Sequence, residues 1–204
     1  MVSRKRWMGC CAVMASVLGA GSTVAAEPPS QPQPEVPAEW RTHEVMMTYT
    51  GVTSLYSCDG LEWKLKYLLK AAGARPDASV RATCSNPMGA PSRFVNAWLK
   101  FATLAVPGAP LAPGEKPDAK RAAPQPAMGE WRSVRFAERK PRDLEAGDCE
   151  LVEQFDRELL PYFTVRERKA HMTCIPHQIR PSGIDLTFDV LAAPIGAKTT
   201  DSKR

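Results

Sequence analysis

Two kinds of hydrophobic periodicity follow one another along the chain, and the succession then occurs a second time. His43, Val45, Met47 and Tyr49 alternate with Thr42, Glu44, Met46 and Thr48, the period of a strand with one buried face. The period then lengthens. Leu61, Leu65, Leu68, Leu69 and Ala72 form one stripe at helical spacing, which predicts an amphipathic helix. Ser57 stands where an N-cap belongs, Gly73 where a left-handed residue closes a helix, and Pro76 forbids continuation. Alternation returns with Val80, Ala82 and Cys84, and again with Val95, Ala97, Leu99 and Phe101, ending at Pro107. Each of these two runs reads as a further strand.

Downstream the same grammar recurs. Val134 and Phe136 begin a strand that the charged residues 138–143 end early. Asp148 takes the capping place of Ser57, and Val152, Phe155, Leu159 and Leu160 stripe a helix that Pro161 closes. Ala170, Met172 and Cys174 then line one strand, and Ile184, Leu186, Phe188 and Val190 the last.

Individual residues repeat along with the periods. Trp40 is answered by Trp131, Cys58 by Cys149, Cys84 by Cys174, and Pro91 and Ser92 by Pro181 and Ser182. Phe101, Leu104, Ala105 and Pro107 are answered by Phe188, Leu191, Ala192 and Pro194. Coincidence of Trp, Cys and Pro at one offset of about 90 residues indicates an internal duplication. The fold class expected is α+β. It consists of two tandem β-α-β-β repeats, residues 39–107 and 130–194, each with its helix on one face of a small mixed sheet. Two units of this size gain by sharing a core.

The remaining segments are of other kinds. Residues 1–26 join a basic start (Arg4, Lys5, Arg6) to a short apolar run and small residues ending at Ala26. That is the plan of a secretory signal peptide, too short for a membrane span. Residues 27–38 are a Pro/Gln spacer, 108–129 a Pro/Ala-rich linker and 195–204 a polar, disordered tail.

Export changes the reading of charge and of cysteine. The whole chain is formally +5, but three of those charges lie in residues 1–26, which hold no acid, so removal leaves +2. This gives no case for a nucleic-acid partner. Of six cysteines, Cys10 and Cys11 leave with the signal. The repeat pairs the other four as Cys58 with Cys84 and Cys149 with Cys174, one staple per unit, as an oxidising compartment permits. The protein is expected to be periplasmic or secreted, and not integral to the membrane once cleaved.

Candidate chemistry is sparse. His171 and His177 flank Cys174, an arrangement that suits a metal, and methionines such as Met46, Met47 and Met88 would suit copper. A disulfide at Cys174 removes the thiolate, however, so no metal or other cofactor is expected. No catalytic motif appears. Asp59, Glu62, Asp148, Glu150 and Glu153 gather near the helix starts, where the helix dipole favours acids. The repeats differ most on their helices. The first carries Trp63 and Tyr67 off its buried stripe, among Lys64, Lys66 and Lys70, where the second has Gln154 and Glu158. Trp63, Tyr67, Lys66 and Lys70 therefore mark either a surface for an envelope protein or glycan, or a packing surface for the other repeat. The function expected is non-enzymatic binding; a copper-binding protein and an envelope hydrolase are the alternatives.

Overall fold

Strand β1 (Val36–Thr50) carries the first alternation, with His43, Met47 and Tyr49 buried and Glu44, Met46 and Thr48 exposed. The computed structural model describes residues 34–84, 90–112, 114–115, 123–174 and 183–194. After β1 the chain forms α1 (Cys58–Ala71), β2 (Ser79–Cys84) and β3 (Phe94–Ala105). The second half follows as β4 (Gln125–Ala137), α2 (Cys149–Glu158), β5 (Val165–Ala170) and β6 (Asp185–Ala192).

The helix signals act as expected in α1. The Ser57 hydroxyl accepts from the Gly60 N–H at 3.1 Å, and Leu61, Leu65, Leu68 and Leu69 are buried. Gly73 then takes φ +96°, and the Ala74 N–H returns to the Leu69 carbonyl at 3.0 Å, a helix ending that favours glycine. In α2 the expected stripe of Val152, Phe155, Leu159 and Leu160 is buried, but both helix ends differ from expectation. Asp148 holds the N-cap place of α2, but its side chain makes no capping bond to that helix. It closes a 3-10 turn (Ala146–Asp148) and its carboxylate accepts from the Glu145 N–H. Pro161 sits inside a second such turn (Leu160–Tyr162), because proline is tolerated at the start of a new helical turn.

The sheet corrects the expectation of two small mixed sheets. All six strands form one sheet in the order β2-β3-β1-β4-β6-β5, and every neighbouring pair is antiparallel. The crossover through α1 returns β2 one place away from β1, and β3 fills the gap, bonded to both. The second half places β6 between β4 and β5 in the same way. Each half alone would leave an unpaired edge, on β1 or β4, exposing a row of backbone groups. Val36–Trp40 pairs with Gln125–Gly129 and covers that part of both edges. These strand ends come from the Pro-rich stretches read as spacer and linker. Pro37 and Pro126 are tolerated because the pairing is confined to the strand ends.

One core spans the join. Leu61, Leu65 and Leu68 of α1, Phe101 of β3, Phe136 of β4 and Phe155 of α2 belong to a single buried cluster. The helices pack against one face of the sheet. The other face holds a small cluster at its centre, where Trp40 and Trp131 pack with Ala38, Leu104 and Leu191. Trp40 lies opposite Leu104, and Trp131 opposite Leu191. The Arg75 and Arg166 guanidiniums lie over the two indoles at 5.6 and 4.2 Å.

Both expected disulfides are present, Cys58–Cys84 joining the start of α1 to the end of β2, and Cys149–Cys174 joining the start of α2 to the segment beyond β5. Strand β5 was expected to run on to Cys174, whereas it ends at Ala170. It is a charged edge strand broken by a bulge at Glu167, φ +53°, and an edge strand needs no apolar alternation. Among the described residues no helix is long and apolar enough to cross a membrane.

Candidate functional site

Two of the acids near the helix starts, Asp148 and Glu150, hold the two halves together. Glu150 of α2 points its carboxylate at the turn after β1 and accepts from the N–H groups of Val52 (2.9 Å), Thr53 (3.1 Å) and Ser54 (3.4 Å). One turn along, the Gln154 amide brackets Thr50, donating to its carbonyl at 2.8 Å and accepting from its N–H at 2.9 Å. Gly51 lies inside this tight turn, where a Cβ would stand 2.0 Å from the Ser54 carbonyl oxygen. Asp148 collects the Tyr56 hydroxyl (2.5 Å) and the Lys64 ammonium (2.6 Å) from the first half. Glu62 stays within its own half and accepts the Ala82 N–H at 2.8 Å. Burial pushes the Tyr56 phenol far above its ordinary range, and the bond to Asp148 adds to the shift. Tyr49 is raised for the same first reason, with the Glu150 and Asp148 charges contributing.

The α1 candidates divide. Tyr67 belongs to the join, since its hydroxyl accepts from the Asp143 N–H at 3.1 Å. Trp63 stacks on Tyr67, with ring centroids 5.4 Å apart and planes 12° apart, yet remains 50 % exposed. Lys64, folded back to Asp148, also reaches the Asp143 carbonyl. Lys66 pairs loosely with Glu62 at 3.8 Å, and Lys70 is exposed. Gln154 and Glu158 take different positions on α2: Gln154 is buried against Thr50, while Glu158 pairs with Arg157 at 2.8 Å.

The metal candidates do not come together within what is described. His171 is exposed just beyond β5, and Cys174 is in its disulfide. His177 and Met88 lie outside the described residues. Among the described residues there is no group of three His, Cys, Asp or Glu side chains placed to hold a metal ion.

A second surface was missed by the sequence reading. On the face of the sheet away from the helices, Trp98 of β3 stands opposite Met46 of β1 on one side and opposite Arg81 of β2 on the other. Phe94 lies four positions earlier on the same face of β3. Met46 and Trp98 are each 58 % exposed and Phe94 is 60 % exposed. Between the two rings, Asn96 bonds to Thr48 at 2.8 Å. The signal lay in the alternation itself, because Phe94 and Trp98 occupy the polar-facing positions of a strand that also exposes Asn96 and Lys100.

Comparison with known protein families, curated proteins and solved structures finds no match. Function is therefore read from this chain's own geometry.

The corresponding face of the second half is different in kind. Ala137 and Asp185 form the cross-strand pair at the place of Met46 and Trp98. Asp185 is tied to Arg135 at 3.0 Å and Asp189 to Arg166 at 3.2 Å. One half thus exposes aromatic surface where the other exposes ion pairs.

Proposed function

We propose that the chain is an exported, non-enzymatic binding protein whose working surface is the uncovered face of β1, β2 and β3. Residues 1–26 direct export in this reading, and the periplasm or the exterior is the place of action. Two β-α-β-β units, descended from one duplicated ancestor, supply the scaffold. The matching strand order of the halves supports the duplication, and two disulfides suit an oxidising compartment.

The observation that carries the reading is the cluster of Met46, Phe94 and Trp98, three large apolar side chains more than half exposed on one face. Single exposed apolar residues are ordinary, whereas several large ones on one face of a rigid sheet mark an interaction surface. Trp63, with Lys66 and Lys70 beside it, forms a second and smaller candidate on the opposite side of the sheet.

Photo-crosslinking in intact cells separates the two surfaces. A photoreactive residue at position 98 should give adducts with an envelope component, and one at position 187, on the second half, should not. Adducts from position 63 with none from position 98 would move the working surface to α1.

A further inference from the structure

We infer that the uncovered face of the first half binds an anionic polysaccharide, an inference that rests on that face being the working surface. Three features define the ligand. The face is an exposed strand surface. Protein partners anchor through side chains seated in pockets, whereas the flat, C–H-lined face of a sugar ring stacks directly on an exposed aromatic ring. The two rings are also well separated. Four residues of strand put Phe94 and Trp98 roughly 14 Å apart, a distance that an extended polymer bridges and one small ring does not. Asn96, Thr48 and Thr83 lie between them and can meet hydroxyl groups.

Charge decides the class of sugar. Glu44 is the acid beside the rings, and it is paired with Lys100 at 2.8 Å. Arg81, directly across from Trp98, forms no ion pair with any described residue. An acidic sugar answers this guanidinium, which presents a planar fork suited to carboxylates. One arginine is too few to track a phosphate backbone, the main source of affinity in nucleic-acid binding. An extended peptide would add at a strand edge, and on the β2 edge the Ala82 N–H is already taken by Glu62.

Calorimetric titration of the mature chain with its disulfides intact tests the ligand. The probes are polygalacturonate, a neutral glucan, poly-glutamate and a single-stranded oligothymidylate. Polygalacturonate should bind best. Trp98→Ala should weaken it by at least ~10-fold, the scale of a lost aromatic anchor. Arg81→Gln should remove most of the preference over the neutral glucan, and Trp63→Ala should change neither. Equal binding of poly-glutamate, tighter binding of the oligonucleotide, or no polysaccharide binding would overturn the inference. So would a dimer that Trp98→Ala dissolves. Crosslinks from position 98 without polysaccharide binding would keep the surface and reject the ligand, so the two failures are distinguishable.

Discussion

Pro37 lies directly opposite Met128 in the central strand pair, and the offset that carries Trp40 onto Trp131 carries Pro37 onto Met128. Each half thus meets the other at its own corresponding point, as a two-fold arrangement requires. The join is continued on the helix side by Glu150, Gln154 and Asp148, so the halves have common pairing, core and polar contacts.

A single cooperative unfolding transition follows from that join. Glu150→Ala leaves three backbone N–H groups without their acceptor and should cost about 2–4 kcal/mol. Gln154→Ala removes two bonds to Thr50 and should cost about 1–2 kcal/mol. Calorimetry should find both variants melting lower, still in one transition. Two separated transitions in the parent protein would mean that the halves fold independently.

Much of this architecture is legible in the sequence for a local reason. The leucines of α1 and the alternation of β3 report their buried faces directly, and the cysteines declare their partners by repeating. Strand order is not local. That β3 lies between β1 and β2 depends on pairings between distant segments, which periodicity does not encode. The join was hidden for a different reason: Val36–Trp40 and Gln125–Gly129 contain prolines and carry no alternation. At the candidate site, Trp63 was recognised by its contrast with α2. The same contrast on the sheet, Trp98 against Asp185, becomes visible only once the pairings are known.

Tyr49 and Tyr56 predict an alkaline limit to stability. Both phenols are raised in the folded chain. Above the ordinary tyrosine range, about pH 10, the folded state keeps protons that the unfolded state has released. Their contribution is full below that range and is lost progressively as pH rises above it toward the raised folded values. Urea midpoints measured between about pH 8 and pH 11 should fall steeply at the top. Tyr49→Phe should start lower, having lost its bond to the Ser54 carbonyl, and decline less steeply. An unchanged slope would show that Tyr49 does not contribute.

Trp63 and Tyr67 stack on each other but should respond differently to truncation. Tyr67→Ala removes a contact across the join as well as a ring, and should lower Tm by several degrees. Trp63→Ala removes a half-exposed ring whose stacking contributes about 0.5–1.5 kcal/mol, and should lower Tm less. A larger loss at Trp63 would make that residue the structural one of the pair.

The working surface can be read from one spectrum. Without residues 1–26 the chain keeps four tryptophans, Trp40, Trp63, Trp98 and Trp131. Their indole N–H signals report the central cluster twice, α1 once and the uncovered face once. In a titration of labelled protein with oligogalacturonate, the Trp98 signal should shift progressively while those of Trp40, Trp63 and Trp131 stay in place. Movement of Trp63 with Trp98 unmoved would contradict the account and assign binding to the helix face.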